Sequence, residues 1–151
     1  MSAIEVFISY SHKDEELREE LENHLKALQR QAVIKAWHDR EISAGSEWEE
    51  QIRSNIQRAQ IILLLVSPDF LASDYCWNIE VTHALERYRN KEAAVVPVIL
   101  RPCDWESTPL GKLQAVPKNA LPVTSWQNRD EAFLDIAKAI RVIVQRLQPN
   151  P

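Results

Sequence analysis

The residues best placed to do chemistry lie just beyond a continuous apolar run, Ile61 to Val66, which predicts a strand buried on both faces of a parallel sheet. Glu80 falls early in the helix expected to follow it, where a carboxylate can offset positive charge that develops in a reacting ligand. Carboxylates act in this way in glycoside cleavage, on an oxocarbenium-like state. A glutamate in the first turns of a helix can equally be a favourable partner of the helix dipole, so position alone leaves both roles open.

Other candidate ligand-binding residues are polar or aromatic and follow predicted strands. Ser9, Tyr10 and Ser11 stand at the end of the first strand pattern, where Tyr10 can either line a pocket or pack against the core. Trp105 lies in the long connection after the fourth strand pattern, where it can stack on a ligand ring or cover the core. Trp77 lies on the same predicted helix as Glu80.

The elements that must position these residues are strands alternating with helices. Strand patterns at residues 4–9, 33–37, 61–66, 93–100 and 120–123 predict an α/β fold: a flavodoxin-like open sheet of about five parallel strands flanked by helices. In such sheets ligands bind outside the carboxyl ends of the strands. We therefore expect Glu80 to be an exposed carboxylate at that edge, close to the serines that follow the first strand.

Helix starts and one imperfect strand are also visible in the sequence. Ser46 and Glu49 form a capping box, Ser73 or Asp74 can cap the next helix, and Asn128 or Asp130 can begin the last helix. Pro97, inside the fourth strand pattern, cannot donate a ladder hydrogen bond and indicates an edge position.

Composition excludes several classes of function. The 151 residues predict one domain, 1–147, with 148–151 as the start of a linker or tail. A net charge of −4 with interleaved basic residues argues against nucleic-acid binding, and the short apolar runs argue against a membrane span or secretory signal. We expect a cytoplasmic protein with reduced cysteines, no metal site and, with two glycines, no glycine-rich phosphate loop.

Three segments resemble the signature boxes of the Toll/interleukin-1 receptor (TIR) family. Val6-Phe7-Ile8-Ser9-Tyr10 is similar to the first box, and the segment from Ser67 to Trp77, followed by Glu80, is similar to the entry to the third helix. The loop at residues 40–45 resembles the second box, with Glu41 and Ala44 where the family has aspartate and proline. The resemblance runs from about Ile4 to Leu147 and is closest to bacterial members.

The resemblance implies one of two functions, because some TIR domains cleave NAD and others are non-catalytic signalling scaffolds. For the first, it implies that Glu80 is catalytic and that Ser9, Tyr10, Ser11, Trp77 and Trp105 bind NAD as substrate, with no separate cofactor. Enzymatic members often carry a tryptophan four residues before the glutamate, where this chain has Cys76. The product would be ADP-ribose or a cyclic ADP-ribose, in bacterial defence or signalling.

The resemblance also implies self-association. The expected oligomerisation loop consists of Arg40, Glu41, Ile42, Ser43, Ala44 and Gly45. It would dock on a neighbouring protomer, and a head-to-tail contact of this kind can extend into filaments. A phosphoacceptor receiver domain shares the sheet, but it needs an acidic pair after the first strand, where this chain has Ser9-Tyr10-Ser11.

Overall fold

The structure, a computed structural model, describes residues 3–38 and 48–148. Its sheet has parallel strands in the order β2-β1-β3-β4. The strand order reverses between β1 and β3: β2 is added on one side of β1, and β3 and β4 on the other. This is the switch point at which flavodoxin-like sheets bind ligands. The predicted α/β architecture is confirmed. The strands are β1 Ile4–Ser9, β2 Ile34–His38, β3 Ile61–Val66 and β4 Ala94–Ile99.

Helices cover both faces of this sheet. A π-helical turn, Cys76–Val81, runs directly into one of them, and short 3-10 turns occupy the connection between β4 and the last helix. None of the described helices is long and apolar enough to cross a membrane. The helices are α1 Glu15–Arg30, α2 Trp48–Arg58, α3 Pro68–Ala72, α4 Thr82–Arg89 and α5 Arg129–Leu147.

The expected fifth strand at residues 120–123 was wrong. Two 3-10 turns, Lys118–Ala120 and Val123–Ser125, occupy that segment instead, and each is preceded by a proline, Pro117 and Pro122. Proline lacks the N–H that a ladder requires, which explains the failure to pair. Among the described residues the sheet therefore has four strands, extended only by an isolated parallel bridge between Val98 and Val116. This leaves β4 outermost, as Pro97 indicated.

The central strand β3 divides the core into two layers. All of its residues are buried, and successive side chains point to opposite faces of the sheet. Ile61, Leu63 and Leu65 pack with α1 and α5, in a cluster that includes the four leucines of α1. The alternate residues Ile62, Leu64 and Val66 pack with α2, α3, α4 and the segment around Trp105.

A buried arginine fixes α4, which continues the turn bearing Glu80, against α2. Arg87 donates to the backbone carbonyls of Ile56 at 2.6 Å and of Ala59, at the carboxyl end of α2, and to the carbonyl of Glu92 at 3.0 Å. The carbonyls of Ile56 and Ala59 lie at the end of α2 and would otherwise lack intrahelical partners. The predicted caps at Ser73 and Asn128 are confirmed, since both side chains accept backbone N–H groups. Ser46 lies outside the described residues.

Candidate active site

Ser9 and Glu80 form a buried hydrogen-bonded pair at the switch point of the sheet. The Ser9 hydroxyl donates to Glu80 Oε1 at 2.6 Å, and both residues are 0% exposed. The expectation that these two would be neighbours is confirmed. The expectation of an exposed carboxylate was wrong, because the helix brings Glu80 beneath the edge, onto the end of β1.

The π-helical turn that carries Glu80 is fastened to its surroundings at its first residue. The Ser73 hydroxyl accepts the Cys76 N–H at 3.1 Å, and the Cys76 thiol lies 3.7 Å from the carbonyl oxygen of Tyr10. The second contact joins the turn directly to the residue after β1. π-Helical turns are rare and occur often at functional sites.

The remaining candidates near β1 have structural contacts. Tyr10 is 1% exposed and packs in the core beneath α1, which favours the packing role. Ser11 caps the 3-10 turn His12–Asp14, its hydroxyl accepting the Lys13 N–H at 3.3 Å. Trp77 is half-buried on the π-helical turn, against the second core layer.

Trp105 lies in the second core layer and is 8% exposed. Its carbonyl oxygen accepts the Thr108 hydroxyl at 2.5 Å, which closes the turn that follows. Since a stacking platform must offer a ring face to its ligand, this burial favours the role of covering the core. Stacking on adenine stays a prediction.

Two further sequence predictions concern the oligomerisation loop and the absence of a metal site. The oligomerisation loop, residues 40–45, lies outside the described residues. Within the parts that the structure does describe, no three His, Cys, Asp or Glu side chains are grouped so that they could hold a metal ion. Neither Cys76 nor Cys103 takes part in a disulfide bond, and burial raises the pKa of Cys103 above its ordinary value.

A charged network beside the pair was missed in the sequence. Asp14, only 2% exposed, accepts the Ser67 hydroxyl and an Arg101 Nε–H at 2.9 Å. Arg101 also contacts Asp69 Oδ2 at 2.5 Å. Ser67 follows β3 directly and Arg101 lies two residues after the end of β4, so one guanidinium connects the segments after β1, β3 and β4. The sequence does contain a signal for this network, because an arginine and two aspartates lie in the segments that follow neighbouring parallel strands.

The charged groups of this network stabilise one another's ionised forms. The hydrogen bond from Arg101 lowers the pKa of Asp69, and the same bond raises the pKa of Arg101 despite partial burial. Two carboxylates already neutralise the guanidinium, so it offers no net positive charge to an anionic ligand.

A second polar cluster packs against Tyr10. The Arg18 guanidinium carbon lies 5.3 Å from the centre of the Tyr10 ring, and Arg18 also contacts Glu22 at 3.3 Å. Burial alone would lower the pKa of Arg18, but Glu22 and Tyr10 raise it above its ordinary value. His38 Nε2 lies 3.5 Å from the same Glu22 carboxylate. Tyr10, which follows β1, is thus held by contacts with Arg18 and with the Cys76 thiol.

These elements and contacts fall within a region that matches a known family. A family model described as "TIR domain" matches residues 6–137, from β1 into α5. The chain belongs to the TIR-domain family. The resemblance seen in the three signature segments is confirmed, and the Ser9–Glu80 pair lies inside the matched part of this TIR domain.

Relatives agree with this assignment. A protein of Sinorhizobium fredii, described as uncharacterized protein y4lF, is 54% identical over 142 residues, which are 94% of this chain and 44% of that protein. This chain therefore spans less than half the length of that relative. The bacterial origin of the relative supports the expected bacterial type.

Solved structures show the same fold. The TIR domain of the Toll-related receptor TRR-2 from Hydra magnipapillata has a TM-score of 0.63 at 23% identity, covering 91% of this chain and 96% of that one. The TIR domains of the activated Roq1 resistosome, which directly recognises the pathogen effector XopQ, have a TM-score of 0.56 at 20% identity, covering 97% and 98%.

Proposed function

We propose that this TIR domain cleaves the bond between nicotinamide and ribose in NAD, with Glu80 as the catalytic carboxylate. The observation that carries the proposal is the Ser9–Glu80 pair, 2.6 Å apart at the sheet's switch point. It combines the glutamate that enzymatic TIR domains require with the place where sheets of this order bind ligands.

The reaction asks little of the protein beyond charge stabilisation. When the C–N bond breaks, its electron pair goes to the nicotinamide ring nitrogen, so the cationic ring leaves as a neutral molecule. The ribose then carries positive charge, which the Glu80 carboxylate offsets. Attack by water releases a proton and gives ADP-ribose, whereas attack by an adenine nitrogen gives a cyclic ADP-ribose.

Ser9 gives the carboxylate its direction. Its hydroxyl donates a hydrogen bond to Glu80 Oε1 and fixes the carboxylate. A fixed carboxylate stabilises a transition state better than a mobile one. Because Glu80 is buried, the side chains above it must move before ribose can reach it. We propose that self-association provides that movement, so that activity rises with assembly.

A groove beside β4, the outermost strand on that side of the sheet, supports the proposal of assembly. It has a volume of 590 Å³, lies along the outer edge of β4 and α5, and is largely apolar with charged groups at Lys118, Asp135 and Arg146. We propose it as the acceptor for the loop at residues 40–45 of a second copy, whose Arg40 and Glu41 complement those charges. The likeness to the TIR domains of an activated resistosome supports an assembled state.

The second candidate function is a non-catalytic signalling scaffold. The burial of Glu80 favours it, because a buried carboxylate hydrogen-bonded to a serine is also what a purely structural polar pair looks like. In that case the groove and loop would carry the function, and Glu80 would only hold β1 to the π-helical turn.

Turnover separates the two candidates. Purified protein is incubated with NAD over a concentration series, and the products are identified by chromatography. Glu80→Gln keeps the size and an acceptor for Ser9 but removes the charge, so we expect a loss of about 10²-fold or more. Glu86→Gln, an exposed glutamate on α4, is the matched control. Wild-type turnover in Glu80→Gln, or none in the wild type at any concentration, would favour the scaffold.

A further inference from the structure

The last wide ring of the π-helical turn that carries Glu80 is closed at Thr82. The Thr82 N–H donates to the carbonyls of Trp77 and Ile79, five and three residues earlier. The Thr82 hydroxyl donates to the same Trp77 carbonyl at 3.1 Å. Two donors of one residue therefore meet on the carbonyl that defines the wide ring, and Glu80 lies inside that ring.

An α-helical turn would instead place the Thr82 N–H on the carbonyl four residues back, that of Asn78. A π-helical turn contains one residue more than an α-helical one, so converting between them rotates the neighbouring side chains by about 100° around the helix axis. Cys76 is held to Ser73 and to the carbonyl of Tyr10, so the start of the turn is fixed. The form of the turn therefore decides whether Glu80 faces Ser9.

We infer that Thr82 is a positioning residue that aims the Glu80 carboxylate at Ser9 by closing the π-helical turn through its hydroxyl. This inference rests on the proposed function, since it assigns the aim of the same carboxylate. Thr82 itself is exposed on the surface, beyond the reach of the reacting bond. Its effect passes through the backbone of the turn.

Thr82→Val and Thr82→Ser test the hydroxyl. Valine keeps the branched shape and a similar helix propensity without the hydroxyl, while serine keeps the hydroxyl. One neutral hydrogen bond shifts a local equilibrium by about 3- to 10-fold. We expect kcat to fall by at most that factor in Thr82→Val with KM little changed, and Thr82→Ser to recover most of the wild-type rate. Thr124→Val, at an exposed threonine outside the turn, should behave as wild type.

Labelling with a water-soluble carbodiimide and an amine gives a readout that does not need turnover. Buried Glu80 should react slowly in the wild type and in Thr82→Ser, and about 3- to 10-fold faster in Thr82→Val, while exposed Glu86 reacts equally in all three. If the wild type does not cleave NAD, the proposed function fails and the labelling alone judges Thr82. Unchanged Glu80 labelling in Thr82→Val, or a higher kcat, would overturn the inference.

Discussion

Arg101 and Asp14 form an ion pair in which the guanidinium lies 2.9 Å from a carboxylate that is 2% exposed. The two residues are 87 positions apart in the chain, Arg101 in the segment after β4 and Asp14 in the 3-10 turn after β1. The pair holds the carboxyl edge of the sheet beside Ser9 and Glu80. It therefore connects the stability of the fold to the geometry of the candidate site.

Removing this cation should destabilise the domain strongly. Arg101→Ala leaves the Asp14 carboxylate buried without its charge partner, at a cost of about 2–4 kcal/mol in the free energy of unfolding. The matched control is Arg129→Ala, which breaks an exposed pair with Glu20 at 3.1 Å and should cost less than about 1 kcal/mol. Urea unfolding measures both variants. Equal losses would show that burial of Asp14 does not matter.

The neighbouring pair of Asp69 and Arg101 should stabilise the fold in a pH-dependent way. The hydrogen bond from Arg101 holds the pKa of Asp69 below its ordinary value of 3.8, which stands for the unfolded chain. The stabilisation is therefore complete above that value and is lost as the pH falls through the folded-state pKa.

Asp69→Asn measures this contribution directly. The urea midpoint of the wild type should exceed that of Asp69→Asn near neutral pH, and the difference should shrink below about pH 3. Asp74→Asn, at an exposed aspartate nearby, should show a smaller difference at neutral pH. A difference between wild type and Asp69→Asn that stays constant down to the lowest pH would contradict the assignment.

How much of this could be foreseen differs between the fold and the site. The apolar run of β3 and the four leucines of α1 specify their elements by composition and period alone, and the structure has both where the sequence places them. The segment at 120–123 is mostly apolar too, but Pro122 within it and Pro117 before it lack the N–H that a strand needs for pairing, and hydrophobicity alone does not show this.

The site shows a different limit. The sequence places Ser9 and Glu80 at one edge, because parallel strands end together, and it identifies Glu80 by resemblance. Whether a side chain on that edge points outward or inward depends on helix register, and the π-helical turn changes the register by a residue. The network of Asp14, Ser67 and Arg101 depends on three strand ends meeting, which only the strand order decides.

Gly111 should be intolerant of any side chain. A Cβ built at this position would lie 2.2 Å from the backbone carbonyl oxygen of Glu106, so the chain after Trp105 would have to shift. Gly111→Ala should lower the free energy of unfolding by about 1–3 kcal/mol. Lys112→Ala, at the exposed neighbouring position, should change it little. Thermal melting with tryptophan fluorescence measures both, and equal melting temperatures would show that the close approach is relieved without cost.

Trp105 should contribute mainly to packing. Trp105→Ala empties a site that is 8% exposed and should cost about 3–5 kcal/mol, whereas Trp105→Phe keeps much of the volume and should cost less. Urea unfolding and NAD kinetics are measured on the same samples. If Trp105→Ala were as stable as the wild type but needed more NAD for half-maximal rate, the ligand-stacking role expected from the resemblance would be the correct one.

Assembly and turnover should be lost together when the loop at residues 40–45 is altered. The loop carries Gly45 and the charged Arg40, and it has Ala44 where the family has proline. Gly45→Leu and Arg40→Glu should each reduce oligomerisation and NAD cleavage in parallel, although neither changes Glu80. Light scattering and nicotinamide release are followed on the same samples across a concentration series.

The reverse charge change Lys118→Glu, in the β4–α5 groove, should weaken both readouts if that groove receives the loop. Full activity from a variant that stays monomeric at every concentration would show that turnover does not depend on assembly.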